Sequence, residues 1–389
     1  MTQTKQRRAL IIGGSLGGLF TATTLRAIGW DVHIFERSAH DLDSRGGGVV
    51  LQADVLAAFR FAGIDYDESH GVPSGDRIYL GAGDAVLSRQ HMPQTQTSWN
   101  SLYSAMNRSL PPELTSRAER FMRYEQHGDE VVAYFESGRV ERADLLIGAD
   151  GPKSSLRAQV LPGVMPTYAG YVAWRGLVPE TSLSTRAVEM LQGTFAFQHD
   201  GETMMLEYMV PGEDGSIEVG KRRWNWVWYR KVSPGADLQS LLTDRNGKAK
   251  TTSLYPGAVQ DAYLSEMRHA SKLLAPTFQD LVEATAEPFV QAILDMRVPQ
   301  MVFGRALVVG DAASIPRPHT AGSTAKAAAN ALSLAHALSQ GENDIDAALQ
   351  AWEFDQLLAA RQMTEWGMRA GDRIMGIPRT TAAIFPRQP

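Results

Sequence analysis

The clearest pattern of apolar and polar positions lies near the start of the chain, in residues 8–37. It opens with an apolar run at 9–12, of the kind that forms a buried parallel strand. A glycine-rich turn follows at 13–18, and a helical pattern begins at Leu19. A second apolar strand then ends at Glu36. The order strand, tight turn, helix, strand and acid predicts a βαβ unit that binds a dinucleotide.

Large apolar residues alternate with other residues in the middle of the chain. Trp224, Trp226 and Trp228 occupy every second position of a short segment, so in a strand they share one face. We interpret this face as core packing or as a dimer interface. Tyr208 lies on an earlier segment of the same kind. The region predicts a separate, mainly antiparallel sheet that covers the ligand of the βαβ unit.

Two further apolar runs each lead into a polar loop. Residues 144–147 precede a loop that contains Asp150, and residues 306–309 precede a loop that contains Asp311. An open α/β sheet places its ligand contacts in loops at the carboxyl ends of its strands. Taken alone, the first loop is explained equally well as a plain Asp-Gly turn.

These patterns predict an α/β fold. It consists of a Rossmann-like dinucleotide-binding domain, a mainly antiparallel β-sheet domain for the substrate, and C-terminal helices. The predicted boundaries are residues 1–70, 97–165 and 285–340 for the first domain, 71–96 and 166–284 for the second, and 341–389 for the helical segment.

Composition narrows the class of protein. The chain has 389 residues, too many for one ordinary core, and its net charge of −5 provides no basic surface for nucleic acid. No apolar run approaches the roughly 20 residues of a membrane span, and the first residues lack the apolar stretch of a signal peptide. The absence of cysteine excludes disulfides, thiolate metal sites and a cysteinyl-linked cofactor. We expect a cytoplasmic enzyme without a metal ion.

The glycine-rich turn carries the first candidate binding residues. Gly13 and Gly18 let the backbone approach a pyrophosphate, whose charge the helix N-terminus near Leu16 stabilises. Ser15 stands where such turns usually have a second glycine, so its side chain must point away or bind a phosphate. Glu36 can accept hydrogen bonds from the ribose hydroxyls of an adenosine. A glycine-rich turn without a ligand is the alternative.

Three motifs occur in a fixed order over most of the chain: IIGGSLGGL with IFER, LLIGADGPKSSLR, and GRALVVGDAASIPRP. They resemble those of the class A FAD-dependent aromatic hydroxylases, the monooxygenases of the p-hydroxybenzoate hydroxylase type. The resemblance implies non-covalent FAD in the first domain, bound by Asp311 at the ribityl chain and by Asp150 and Arg37. Arg45 and Arg108 match two more family positions that contact FAD, although Arg45 is explained nearly as well as a solvated loop residue.

Within this family the chain resembles the pyridine-ring hydroxylases. The shared features are the Gly-Gly-Ser turn, the segment PTYAGYVAWRG and the loop RPHTAGSTAK. That loop differs from the common Gly-Gln-Gly-x-Asn form, because Ala321, Gly322 and Ser323 stand at its start, and Asn330 replaces a common aspartate. We expect the loop to lie beside the flavin ring and FAD binding to be kept.

The resemblance implies hydroxylation of an electron-rich aromatic ring. NADH or NADPH would dock transiently and reduce FAD, and O₂ would add at the flavin C4a position to give the hydroperoxide that transfers oxygen. A ring hydroxyl should then be deprotonated or strongly hydrogen-bonded. His319 is the first candidate for this role and Tyr208 the second. A histidine bonded to backbone and a core tyrosine are the alternatives.

The substrate and the reaction class have alternatives. We expect a hydroxypyridine, with another phenol or a hydroxynicotinate as the alternative substrate. A βαβ unit alone would suit an NAD-dependent dehydrogenase, but that function leaves the other two motifs unexplained. A flavin-binding protein without oxygenase activity is the non-catalytic alternative, with the altered loop as its sign. The expected partners are a small aromatic molecule and O₂, without nucleic acid or membrane, and a homodimer stays open.

Overall fold

The computed structural model describes residues 6–40, 42, 46–341 and 344–378. Its strands are β1 (Arg8–Ile12), β2 (Asp31–Glu36), β3 (Gly48–Val50), β4 (Val72–Leu80), β5 (Val86–Ser98), β6 (Thr115–Arg117), β7 (Phe121–His127), β8 (Glu130–Phe135), β9 (Val140–Ala143), β10 (Leu145–Gly148), β11 (Thr167–Pro179), β12 (Thr194–His199), β13 (Met204–Val210), β14 (Arg223–Lys231), β15 (Ser253–Leu254), β16 (Phe289–Arg297), β17 (Val302–Phe303), β18 (Ala306–Val308) and β19 (Ser314–Ile315).

The α-helices connect these strands and cover the sheets. They are α1 (Leu16–Ala27), α2 (Ala53–Phe61), α3 (Trp99–Ser109), α4 (Ser155–Val160), α5 (Thr185–Leu191), α6 (Ala236–Leu241), α7 (Asp261–Ala270), α8 (Pro276–Ala284), α9 (Ser323–Gln340) and α10 (Ile345–Ile374). Within the described ranges, no helix has the length and apolar character needed to cross a membrane.

The first sheet has the strand order β17-β18-β10-β1-β2-β6 and is parallel except for β17. Its central strands β1 and β10 are buried, in agreement with their unbroken apolar sequences. Helices α1 and α9 pack beside each other against this sheet, and their apolar residues join one core. The parallel arrangement brings the carboxyl ends of β1, β10 and β18 to the same edge.

The second sheet is larger and mainly antiparallel, in the order β15-β16-β11-β14-β13-β12-β4-β5-β3. Only β12 and β4 pair in parallel along this path. A separate antiparallel meander, β7-β8-β9, precedes β10. These sheets confirm the predicted fold class of a Rossmann-like unit with a mainly antiparallel covering sheet.

The alternating tryptophans form one face of the large sheet, which we call the tryptophan face: Trp174, Trp224, Trp226, Trp228 and Glu207. Apolar residues of α7 and α8 cover it and complete a second core. Trp224 and Trp226 have no exposed surface. The tryptophans therefore pack inside the chain, and the interpretation of this face as a dimer interface is wrong.

Two details differ from the predicted boundaries. Helix α1 begins at Leu16 rather than Leu19, because the second half of the glycine-rich turn is already helical. Strands β3 and β16 fall in ranges predicted for the first domain, yet both pair in the large sheet. The domain division itself stays a prediction.

Candidate active site

The glycine-rich turn is built for close backbone contact. Gly13 has φ +106°, and a Cβ atom at this position would lie 2.5 Å from the carbonyl oxygen of Ala149. At Gly18 an added Cβ would lie 1.9 Å from the carbonyl oxygen of Gly13. Both positions therefore require glycine. Ser15 is the N-cap of α1 but makes no capping hydrogen bond with its side chain, so its hydroxyl and the first amides of the helix can serve a ligand.

The loops of the second and third motifs lie against this turn. A Cβ added at Gly310 would lie 3.9 Å from the Cα of Gly17. Arg157, only 2% exposed, donates from Nη1 to the carbonyl oxygen of Ala312 at 3.0 Å and from Nη2 to that of Pro152. One buried guanidinium thus joins the Asp-Gly loop to the Gly-Asp loop. The three motifs, distant in sequence, form a single edge of the first sheet.

Two carboxylates at this edge are placed for polar ligands. Asp150 accepts a hydrogen bond at Oδ2 from the amide of Ser155 at 2.6 Å, whereas its Oδ1 is buried without a hydrogen-bond partner among the described residues. Burial raises the pKa of Asp150, so an unsatisfied oxygen here is costly until a donor arrives. Asp311 keeps a partly exposed side chain in the adjoining loop.

Asp311 has a buried cationic partner that the sequence did not reveal. Lys326, on the first turns of α9, donates from Nζ to Asp311 Oδ1 at 3.1 Å, to the carbonyl oxygen of Gly310 at 3.0 Å and to that of Ser314. Burial lowers the pKa of Lys326, and the Asp311 charge opposes that effect. The ammonium group therefore fixes both the backbone and the carboxylate of the Gly-Asp loop.

Glu36 and Arg37 follow β2 on the other side of the turn. Glu36 is buried and accepts hydrogen bonds from the amides of Gly14 at 2.9 Å and Ser38 at 2.7 Å. A carboxylate has about four acceptor positions, so two remain for hydroxyl groups. Arg37 is exposed and lies near Lys153, whose pKa falls through burial and through the charge of Arg37. This pair gives the turn a positive rim.

The other two predicted arginines are less informative. Arg45 lies outside the described residues. Arg108 is exposed on α3, in a surface groove of about 630 Å³ that Glu213 and Asp214 also line. The groove carries both signs of charge, and the assignment of Arg108 to FAD stays a prediction.

The loop before α9 has the altered sequence noted above. Ala321 has φ +51°, a left-handed conformation that is uncommon for alanine, and its carbonyl oxygen accepts a hydrogen bond from Gln52. Gly322 is the N-cap of α9, which begins at Ser323, so the amides of the first helical turn face this loop. Asn330 accepts from the amide of Gly310 at 3.1 Å and donates to Gln356 at 2.7 Å, a donor role that aspartate cannot fill.

His319 lies in the same loop and contacts the large sheet. Its Nε2 lies 2.8 Å from the hydroxyl oxygen of Tyr171, and the centroid of its ring lies 4.5 Å from the ring centroid of Tyr229. Its Nδ1 is buried without a hydrogen-bond partner in the described part of the chain. Burial and the neighbouring Arg317 charge lower the pKa of His319 to about 3. The imidazole is neutral at physiological pH, and among the described residues neither ring nitrogen bonds to backbone.

The sheet face that His319 contacts is the reverse of the tryptophan face. We call it the tyrosine face: Tyr171, Arg175, Tyr208, Asn225 and Tyr229, which the strand register places on one side. Tyr208 packs edge-on against Phe195, with ring centroids 4.8 Å apart. Burial raises the pKa of Tyr208, so the hydroxyl keeps its proton. Tyr208 and His319 thus lie on one side of the large sheet.

Polar atoms without partners gather on the tyrosine face. Arg175 Nε, Asn225 Nδ2 and His319 Nδ1 are all buried and lack a hydrogen-bond partner within the described residues. The oxygen of the same Asn225 amide accepts from the amide of Gly48 at 2.7 Å, which fixes the orientation of Nδ2. Most buried polar groups in proteins are hydrogen-bonded, so three unsatisfied groups on one face indicate a ligand site. Arg175, Asn225 and Tyr171 were not predicted as site residues from the sequence, although Tyr171 and Arg175 belong to the PTYAGYVAWRG segment.

These features fit FAD. Gly13 and Gly18, where a Cβ atom would clash, and the first amides of α1 suit a pyrophosphate. The two remaining acceptor positions of Glu36 suit ribose hydroxyls. The unpartnered Asp150 Oδ1 suits a hydrogen-bond donor from the cofactor. No group of histidine and acidic side chains able to hold a metal ion occurs in the described residues.

Comparisons with known proteins agree with this geometry. A family model described as FAD binding domain-like matches residues 168–295. The chain is 34% identical to 2,6-dihydroxypyridine 3-monooxygenase of Paenarthrobacter nicotinovorans over 354 residues, which are 90% of this chain and 87% of the relative. It is 28% identical to 6-hydroxynicotinate 3-monooxygenase of Bordetella bronchiseptica, over 89% of this chain and 86% of that one.

Solved structures show the same relationship. The structure of 2,6-dihydroxypyridine-3-hydroxylase from Arthrobacter nicotinovorans matches with a TM-score of 0.89 at 30% identity, over 98% of this chain and 96% of that chain. Klebsiella pneumoniae HpxO complexed with FAD and uric acid has the same fold, with a TM-score of 0.79 at 21% identity, over 95% and 89% of the two chains. Two of these relatives are named as monooxygenases and the HpxO structure holds FAD, which leaves the dehydrogenase interpretation without support. The chain belongs to the FAD-dependent aromatic hydroxylases, the class A flavoprotein monooxygenases, and binds FAD.

Proposed function

We propose that this FAD-dependent monooxygenase hydroxylates a hydroxypyridine, with O₂ as the oxidant and NADH or NADPH as the reductant. The observation that carries the proposal is the tyrosine face, where unpartnered hydrogen-bond donors meet the loop beside the three cofactor motifs. A hydroxypyridine offers oxygen acceptors on a flat aromatic ring, which matches donors set among tyrosines. The two relatives named after pyridine-ring substrates support the same class.

The cofactor positions are part of the proposal. Gly13, Ser15, Leu16 and Gly18 would hold the pyrophosphate at the start of α1. Glu36 would bind the adenosine ribose, and Asp311 the ribityl chain. The remaining assigned positions are Arg37, Arg45, Arg108, Asp150, Ala321, Gly322 and Ser323. We also propose the division into an FAD-binding domain, a substrate domain and a C-terminal helical segment within the boundaries given above.

When bound, FAD supplies the transfer of electrons from the nicotinamide and the activation of O₂. The chain itself binds the cofactor and the substrate, orients them and shields them from water. Arg157 and Lys326 hold the Asp-Gly and Gly-Asp loops in place from buried positions. The large sheet, closed on its other side by the tryptophan core, excludes water from the ring. Since the nicotinamide is expected to dock transiently, it requires no second βαβ unit.

His319 is better suited to anchor a ring oxygen than to remove its proton. A general base works best when its pKa lies near the operating pH, whereas the pKa of His319 is about 3. A neutral histidine can still donate one hydrogen bond, and such a bond stabilises negative charge on the ring oxygen. Tyr208 would provide a second hydrogen bond from its protonated hydroxyl. The electron-rich anion of the ring is the form that accepts electrophilic oxygen.

A turnover assay on the purified holoenzyme tests the substrate class. We expect 2,6-dihydroxypyridine to stimulate NADH or NADPH oxidation together with O₂ uptake, and the product to carry one added oxygen atom by mass spectrometry. Stimulation by 6-hydroxynicotinate instead would shift the assignment to the second substrate class, which the 28% identical relative supports. If the protein contains flavin but no ring compound stimulates NADH or NADPH oxidation, the result would favour the alternative of a flavin-binding protein without oxygenase activity. The altered loop before α9 is the argument for that alternative.

A matched variant tests the cofactor assignment. Asp311→Ala should fold but retain little FAD, and full FAD occupancy would remove Asp311 from the binding site. A cytoplasmic location and a homodimer also stay proposals, to be checked by fractionation of the source cell and by analytical ultracentrifugation. The tryptophans do not contribute to such a dimer, because the chain itself covers them.

A further inference from the structure

The hydrogen bond between Tyr171 and His319 determines which nitrogen of the histidine carries the proton. The Tyr171 oxygen and His319 Nε2 are 2.8 Å apart. In a neutral imidazole one nitrogen donates and the other accepts, and the partner of each nitrogen selects the tautomer. The direction of this single hydrogen bond therefore decides whether His319 can donate or accept toward a ligand.

Tyr171 is the donor in this bond. Its side chain is fully buried, and burial raises its pKa, so the hydroxyl keeps its proton and needs an acceptor. Within the described residues, its hydroxyl has no hydrogen-bond acceptor other than His319 Nε2. If His319 donated instead, a buried hydroxyl proton would be left without a partner.

Arg317 reinforces this direction. Its guanidinium lies beside the Tyr171 hydroxyl and lowers the pKa of that group against the larger effect of burial. Arginine has donors only, so it can face the lone pairs of the tyrosine oxygen but cannot accept its proton. Two carboxylates hold the guanidinium: Asp295 through Nε at 2.8 Å and Nη2 at 2.7 Å, and Asp372 through Nη1 at 2.7 Å. Arg317 therefore cannot turn away from Tyr171 without breaking a buried ion cluster.

The proton of His319 then lies on Nδ1, the buried nitrogen that has no partner in the described residues. The titratable and charged groups around the imidazole are Tyr171 and Tyr229 from the sheet and Arg317 from its own loop. None of these groups forms a hydrogen bond with Nδ1. Arg175 and Asn225 add two more unpartnered donor nitrogens on the same face.

From this geometry we infer that Tyr171 is a positioning residue that holds His319 as the Nδ1–H tautomer, a fixed donor for an oxyanion on the aromatic ring. The inference rests on the proposed function for the identity of the ligand, since the ring is expected to bind on this face. It extends that function by stating the form of the substrate that is bound. The aromatic substrate binds to the tyrosine face, or is held there, as its oxyanion. His319 stabilises the negative charge without taking a proton.

The tautomer can be observed directly. Holoenzyme labelled with ¹⁵N-histidine, studied by long-range ¹H–¹⁵N correlation without a ring ligand, should show His319 with a protonated Nδ1 and an unprotonated Nε2. The His319→Asn protein identifies the signals by their absence. A wild-type His319 protonated at Nε2, or at both nitrogens at neutral pH, would overturn the inference even if no variant folds.

Two hydroxyl deletions complete the test. Tyr171→Phe should give a mixed or reversed tautomer at His319 and bind 2,6-dihydroxypyridine about tenfold more weakly, as expected for loss of ~1.4 kcal/mol, with unchanged FAD content. Tyr229→Phe is the matched control, because its ring touches His319 without a hydrogen bond to it in the described chain, and it should leave the tautomer unchanged. An unaltered tautomer in Tyr171→Phe would contradict the positioning role. Because the spectra require no substrate, they stay interpretable if the turnover assay shows a different substrate class.

Discussion

The two faces of the large sheet are made from the same strands but have opposite properties. On the tryptophan face every indole nitrogen of β14 finds an acceptor: Trp224 bonds to the carbonyl oxygen of Glu180, Trp226 to Thr285 and Trp228 to Thr203. On the tyrosine face three donor nitrogens have no partner in the described residues. Because neighbouring residues of one strand point to opposite faces, the chain can satisfy the indole nitrogens of one face and leave donors of the other face for a ligand.

Glu207 is the exception on the tryptophan face. Both of its carboxylate oxygens are buried without a hydrogen-bond partner among the described residues, and burial raises its pKa well above the ordinary value. A protonated carboxyl group avoids the cost of a buried charge. An unsatisfied group is therefore not sufficient to define a site. The tyrosine face differs because several donors converge there beside the cofactor loops.

The largest expected effect is on the folded state, from Trp226→Ala. This variant removes a fully buried indole and its bond to Thr285, and we expect the free energy of unfolding to fall by about 3–5 kcal/mol. Urea denaturation of the apoprotein measures the change. The tautomer of His319 should be unaffected in the folded fraction. A shift in the tautomer comparable to that of Tyr171→Phe would show that the two faces are not independent.

His319→Asn should have the next largest effect, and on turnover rather than folding. Loss of one donor to a developing or full oxyanion costs about 10²–10³-fold in rate. FAD content should be unchanged, and activity should recover at high pH, where the ring hydroxyl ionises without help. Steady-state turnover over pH, with flavin content measured on the same sample, checks this. Wild-type turnover at neutral pH would remove His319 from the mechanism.

Arg175→Met should weaken ligand binding. Its Nε is buried without a hydrogen-bond partner among the described residues, and a charge-assisted bond to a ring oxyanion is worth about 1.5–3 kcal/mol, or 10- to 100-fold in affinity. The matched control is Arg230→Met, which removes an arginine that pairs with Glu266 and stacks on Trp228. Titration of each holoenzyme with 2,6-dihydroxypyridine measures the difference. An equal loss of affinity in both variants would mean that the positive charge acts at long range and that Arg175 makes no direct hydrogen bond to the ligand.

The smallest effect is expected from Glu207→Gln, and it should depend on pH. The folded pKa of Glu207 is raised, so the acid contributes most stability below its unfolded pKa of about 4.3 and loses that contribution as pH rises toward the folded value. The free energies of unfolding of the wild-type and Glu207→Gln proteins should differ least near pH 4 and most at alkaline pH, where the variant should be the more stable. Thermal unfolding over this range would detect the trend, and a constant difference would mean that the pKa of Glu207 is the same in the folded and unfolded states.

The sequence predicted the parts of the fold that depend on local pattern. The apolar runs of β1, β10 and β18, the turn at Gly13 and the alternation of Trp224 to Trp228 all have short-range signatures. It could not decide what covers the tryptophans, because α7 and α8 lie far along the chain. Packing between distant elements is not encoded in the period of one strand.

The site was predictable only where a motif marked it. His319 follows the Gly-Asp motif, so its position beside the cofactor loops was expected, whereas its partner Tyr171 lies 148 positions earlier on β11. The sequence left His319 either to deprotonate a ring hydroxyl or to hydrogen-bond it, because the burial and the Arg317 charge that lower its pKa arise only once the loop and sheet meet. Lys326 was visible in the altered loop, but its contact with Asp311 depends on the turn of α9.

The central claim is that the tyrosine face binds the ring as an anion, and the spectrum of the bound ring tests it most directly. 2,6-Dihydroxypyridine or a close analogue is titrated into holoenzyme over a range of pH, and its ultraviolet difference spectrum is compared with those of the free neutral and ionised forms. We expect the bound compound to have the anion spectrum at a pH where the free compound is neutral, and this preference to weaken in Arg175→Met and His319→Asn. A neutral spectrum for the bound ring, unchanged in both variants, would contradict the account.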